Sequence, residues 1–135
     1  QALVLFALWA IVLVLLIGIS RVGQVLSGKK KPTDFPAGTP HGSDMYWRIN
    51  RAHLNTLENL PIFAAVVLGG LTVGVKDPLF AQLATVVVGA RVVQSLIHIA
   101  SGSVMAVNLR FLAYAVQLAC MAWLGVMVLR ATQLI

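Results

Sequence analysis

Residues 2–20 read ALVLFALWAIVLVLLIGIS, with no charged side chain among them. A helix needs about 20 apolar residues to cross about 30 Å of hydrocarbon, so this stretch alone points to a membrane span. The same pattern recurs along the chain. Between Leu57 and Val75 the only charge is Glu58, and between Pro78 and Leu109 it is Arg91. From Arg110 to Leu129 only Arg110 itself is charged. Four such spans use about 80–100 residues, nearly all of a 135-residue chain. Charged residues make up 10% of the chain and hydrophobic ones 59%. A soluble domain carries roughly 25% charged residues, so this chain has too little charge to cover a water-facing surface. The composition excludes a soluble enzyme, a secreted disulfide scaffold and a disordered chain. The expected fold is an all-α integral membrane four-helix bundle.

The first apolar stretch is longer than the core of a signal peptide and has no basic segment before it, so it is expected to remain as a span. The spans are expected at about 2–26, 44–74, 79–100 and 105–132, as one transmembrane domain over 1–135. Residues 27–43 form the first loop, which holds Pro32, Pro36 and Pro40 together with Gly28, Gly38 and Gly42. That composition breaks helices and belongs outside the bilayer. Ser43 or Asp44 is placed to cap the second helix, whose length exceeds the bilayer, so its first turns should project into water. Gly74-Val75-Lys76-Asp77-Pro78 and Ser101-Gly102-Ser103 read as tight turns. Lys29, Lys30 and Lys31, with Arg21, Arg48 and Arg51 nearby, place the first loop on the cytoplasmic side.

The basic excess, 10 Lys and Arg against 4 Asp and Glu, lies at helix ends and within helices. No basic face with interleaved aromatics accompanies it, so nucleic-acid binding is not expected. His41, His53 and His98 do not make a metal set, because His41 is in a loop and His53 faces away from the other polar residues of its helix. One cysteine, Cys120, closes no internal disulfide and reads as a small core residue.

Polar residues inside apolar helices carry more information, since a charged one costs about 2.5–3.5 kcal/mol at a helix centre. At about 100° per residue, Arg48, Arg51, Asn55, Glu58 and Asn59 share one face of the second helix. Arg91, Gln94 and His98 share a face of the third; Arg110, Tyr114 and Gln117 share one of the fourth. The start of helix 2, the end of helix 3 and the start of helix 4 all lie at the basic-loop side, so the three stripes can meet at one depth. They are either an ion-pair ladder joining helices or a binding site. The donors outnumber what a single carboxylate can use, which fits a zwitterionic or anionic ligand.

The run Arg51-Ala52-His53-Leu54-Asn55-Thr56-Leu57-Glu58-Asn59-Leu60-Pro61 resembles the second-helix signature of the MAPEG family, membrane-associated proteins in eicosanoid and glutathione metabolism. Arg91, and Arg110 followed by Tyr114, match later positions of that family, and the likeness covers essentially the whole chain. It implies a homotrimer that holds glutathione between neighbouring subunits near the cytoplasmic face. Arg51, Asn55 and Glu58 would hold the tripeptide's charged ends, with Glu58 on the ammonium and Arg51 on a carboxylate. Arg48, Gln94 and His98 complete the expected binding set. Arg110 would stabilise the thiolate, with Tyr114 as an accessory hydroxyl, against a hydrophobic electrophile or lipid hydroperoxide arriving from the bilayer.

The sequence departs from the prostaglandin-synthase-like members of that family. Leu26 stands where they have an arginine, Gln94 and His98 stand in place of their histidine and tyrosine, and Phe111 replaces a serine. These departures point away from an eicosanoid specificity and toward a broad transferase or peroxidase in a bacterial inner membrane. The alternative expectation is a non-catalytic trimeric scaffold that binds lipids.

Overall fold

The computed structural model describes residues 1–133; the last two residues of the expected domain, 134–135, lie outside the described part. It holds four helices, α1 (Ala2–Leu26), α2 (Asp44–Thr72), α3 (Pro78–Ala100) and α4 (Val104–Ala131), all long and apolar enough to cross a membrane. The protein is an integral membrane four-helix chain.

Local chemistry sets the ends of these helices. Ser43 caps α2, its Oγ accepting from the Tyr46 amide at 3.2 Å. Asp77 caps α3 by accepting from the Leu79 amide at 2.9 Å, and Pro78 follows in the first turn, where a missing N–H costs nothing. Ser103 caps α4 through the Ala106 amide at 3.2 Å. Each cap satisfies one of the backbone donors that a helix start leaves free.

At its other end α2 stops at Thr72, two residues before the expected Gly74. Gly74 takes φ +72°, a left-handed conformation that a glycine adopts without penalty. The Val75 amide then bonds back to the Gly70 carbonyl at 2.9 Å, which closes the helix. Gly28 ends α1 in the same manner, with φ +68° and the Lys29 amide on the Gln24 carbonyl at 3.0 Å. Within α2 the helix continues through Pro61.

α3 packs most extensively on α4, and α1 packs on α2 and α3 but not on α4. The main core lies toward the end away from the first loop, where Phe6, Phe63, Val67, Phe80, Ala84, Val87, Met121 and Leu124 meet. The rings of Phe6 and Phe63 lie 5.2 Å apart. Gly70 lets α2 approach α3 there, because a methyl group at this position would overlap the Phe80 ring. A smaller core of Ile17, Tyr46 and Ile49 joins α1 to α2 near the loop.

Candidate functional site

The three polar stripes converge. Arg51 and Asn55 from α2, Gln94 and His98 from α3, and Arg110 and Tyr114 from α4 line one cavity of about 240 Å³, with Val107 and Phe111 as its apolar members. A second cavity, of about 200 Å³, is lined by Asn55, Glu58, Asn59, Gln94 and Tyr114. The two share Asn55, Gln94 and Tyr114, so together they form one groove along α2, α3 and α4. The groove is bipolar. Arg51 and Arg110 border one end and Glu58 the other, about two helical turns along α2 from Arg51.

This polarity is kept because the opposite charges do not collapse on one another. Among the described residues, neither Arg51 nor Arg110 forms an ion pair with Glu58. A ladder of ion pairs within one chain therefore does not account for the stripe.

Backbone and side-chain bonds fix the walls. Asn59 is buried and donates to the Asn55 carbonyl at 2.8 Å, while Thr56 donates to the Ala52 carbonyl at 2.8 Å. Across α3 and α4, Gln117 Nε2 donates to Gln94 Oε1 at 3.1 Å and to the Ala113 carbonyl at 3.0 Å. Trp9 of α1 reaches Ser95 Oγ with its indole N–H at 3.2 Å, bracing the back of α3.

Arg48 is placed differently from the rest of its stripe. Its Nε donates to the Ile99 carbonyl at 3.0 Å, near the end of α3, and it lines neither cavity. An exposed helix end supplies carbonyls without intrahelical partners, and Arg48 takes one of them. The bond also puts the start of α2 and the end of α3 at one level, as the stripes require. His53 is half-buried and lies outside both cavities.

Arg21, in the last turns of α1, is likewise committed elsewhere. Its Nε donates to the Tyr46 hydroxyl at 2.7 Å, and its guanidinium lies 5.3 Å from the centroid of the Phe35 ring. Phe35, His41, Tyr46 and Trp47 form an aromatic cluster that folds the first loop onto the bundle. Nothing in the loop's spacing signals that cluster, since Phe35 and His41 stand singly among prolines and glycines and meet Tyr46 and Trp47 of α2 only once the loop folds back.

Arg91 shares a helical face with Gln94 and His98 yet lines neither cavity. It is only 1% exposed, and its guanidinium lies 5.7 Å from the centroid of the Phe6 ring. Its Nε and Nη2 have no hydrogen-bond partner among the described residues. Among those residues no group of three or more His, Cys, Asp or Glu is placed to hold a metal.

Chemically, the groove can orient a ligand that carries anionic groups at one end and a cation at the other. Its cationic end also has an apolar border in Val107 and Phe111, the latter 72% exposed. A family model described as the MAPEG family matches residues 1–130 of the chain. No curated protein and no solved structure matches it.

Proposed function

The chain belongs to the MAPEG family, and from that membership and the groove we propose that it is a membrane-bound, glutathione-dependent transferase that also reduces lipid hydroperoxides. One observation supports this reading above the others: Arg51 and Arg110 border one end of a groove whose other end holds Glu58, with Asn55, Gln94 and Tyr114 common to both ends. Glutathione is a zwitterion of matching polarity, with an ammonium for Glu58 and a carboxylate for Arg51. His98 and Gln94 add polar contacts from α3. Arg48 contributes by bracing α2 against α3.

Arg110 then sits beside the sulfur. A free thiol has a pKa of about 8.5 and is mostly protonated at neutral pH; an adjacent cation lowers that value by stabilising the thiolate. A guanidinium suits the task because it stays charged in a low-dielectric site. Tyr114 supplies a hydroxyl to the same sulfur or to the leaving group. In conjugation the thiolate forms a carbon–sulfur bond while the leaving group departs with its electron pair, the thiol proton having gone to solvent. With a hydroperoxide the sulfur takes the terminal oxygen and the alkoxide leaves as the alcohol. A second glutathione then converts the resulting sulfenic acid to the disulfide and water.

The electrophile arrives from the bilayer along Val107 and Phe111. Membership of the family supports a homotrimer as the proposed assembly, with glutathione between neighbouring subunits. The proposed location is a bacterial inner membrane, where the positive-inside rule turns the basic first loop toward the cytoplasm.

The experiment is turnover of the purified protein with glutathione and an apolar aryl halide, and separately with a fatty-acid hydroperoxide. The reading expects both rates to exceed the uncatalysed ones and to saturate with glutathione. No turnover, together with saturable binding of fatty acid, would replace the enzyme with a lipid-binding scaffold.

A further inference from the structure

Gln117 lies in the middle of α4, is 0% exposed, and lines neither part of the groove. Its contacts determine which way it points. The Ala113 carbonyl can only accept, so the atom 3.0 Å from it must be the amide nitrogen of Gln117. The same nitrogen lies 3.1 Å from the side chain of Gln94, so Gln94 must offer its oxygen there. The opposite orientation of Gln117 would set its oxygen against a carbonyl oxygen in a buried site, which is more costly than the unpartnered Oε1 that the observed orientation leaves.

With its oxygen held by Gln117, Gln94 has its NH2 left over. Gln94 is 8% exposed and lines both halves of the groove. Its amide nitrogen has no partner among the described residues. A lone glutamine could rotate to offer either an acceptor or a donor; here one buried bond removes that choice.

We infer that Gln117 is a positioning residue that locks the Gln94 amide with its NH2 in the groove, so that the groove's centre presents a donor to a carbonyl or carboxylate oxygen of the bound thiol peptide. The inference rests on the reading of the groove as a glutathione site. It makes the groove's midpoint selective for ligands with an acceptor between their charged ends.

Four variants test it by isothermal titration with glutathione in detergent, each checked first for native oligomeric state and melting temperature. Gln117→Leu releases Gln94 and weakens binding about three- to tenfold, the range expected for one hydrogen bond. Gln94→Leu loses at least as much. The double variant binds no more weakly than Gln94→Leu alone, because Gln117 acts only through Gln94. Gln94→Glu keeps an oxygen for Gln117 but replaces the groove's NH2 with a second oxygen, so it too loses affinity, and it remains informative even if Gln117→Leu does not fold. In Gln117→Leu, which leaves every groove-lining side chain in place, the Michaelis constant for glutathione rises while that for the electrophile stays as in the unmodified protein. Additive losses in the double variant, or undiminished binding in Gln94→Glu, would overturn the inference while leaving the glutathione site standing. An unmodified protein that binds no glutathione would overturn both.

Discussion

The same three helices meet in different ways at the two ends of the bundle. Away from the first loop, α2, α3 and α4 touch through Phe63, Val67, Phe80, Ala84, Met121 and Leu124, with Phe6 of α1 against them. At the loop end they face one another through Arg51, Asn55, Gln94, His98, Arg110 and Tyr114 around open space. In a bilayer the apolar end gains little from leaving water, since lipid tails are as apolar as leucine; it holds by close packing. The other end gives up that packing for a groove lined with groups that are expensive at membrane depth. Between them lies a buried polar layer in which Thr56, Asn59, Gln94 and Gln117 bond to backbone or to each other. One end therefore holds the helices together, and the other spends that stability on a site.

If this division is right, substitutions at the two ends should separate activity from stability. The largest effect is expected at Arg110. Arg110→Ala should lower conjugation turnover about 10²–10³-fold, the loss typical of removing one group that stabilises developing anionic charge, with the melting temperature in detergent unchanged. At the other end, Phe63, fully buried beside Phe6, should behave inversely. Phe63→Ala should cost about 3 kcal/mol of stability through the cavity it leaves, while the surviving folded fraction binds glutathione as before. A parallel loss of binding would mean that the two ends are not independent.

The spans, the cap at the start of α2 and the turn at Asp77-Pro78 were legible because they depend on composition and on neighbours a few residues away. So was the convergence of the stripes, which needs only helical periodicity and the alternation of helix directions. What was not legible rests on contacts between distant segments. Arg91 has the spacing of a groove residue, yet its side chain lies against Phe6, 85 positions away. Arg48 belongs to the α2 stripe by angle, but the carbonyl of Ile99 holds it. Gln117 appears as one more polar residue on the α4 face, and its bond to Gln94 becomes visible only when α3 and α4 are packed. Periodicity gives the face of a helix, whereas the partner on that face is decided by packing.

Two smaller effects sharpen the comparison. Glu58→Gln removes the groove's carboxylate and should weaken glutathione binding about 10- to 100-fold, as for a hydrogen bond to a charged group, with a much smaller loss for an analogue that lacks the ammonium. Equal losses for both ligands would move Glu58 away from the ammonium. The smallest effect is expected at the α2 cap, where Ser43→Ala should cost about 1 kcal/mol, measured as a lower melting temperature with no change in turnover at saturating substrate.

The central claim is that the cationic end of the groove stabilises a thiolate. Ultraviolet difference spectroscopy of the detergent-purified protein, titrated with glutathione at neutral pH, tests it most directly. The account predicts a saturable thiolate band that is abolished in Arg110→Ala while binding of glutathione persists. A bound ligand with no thiolate band in the unmodified protein, or a band of equal height without Arg110, would contradict it.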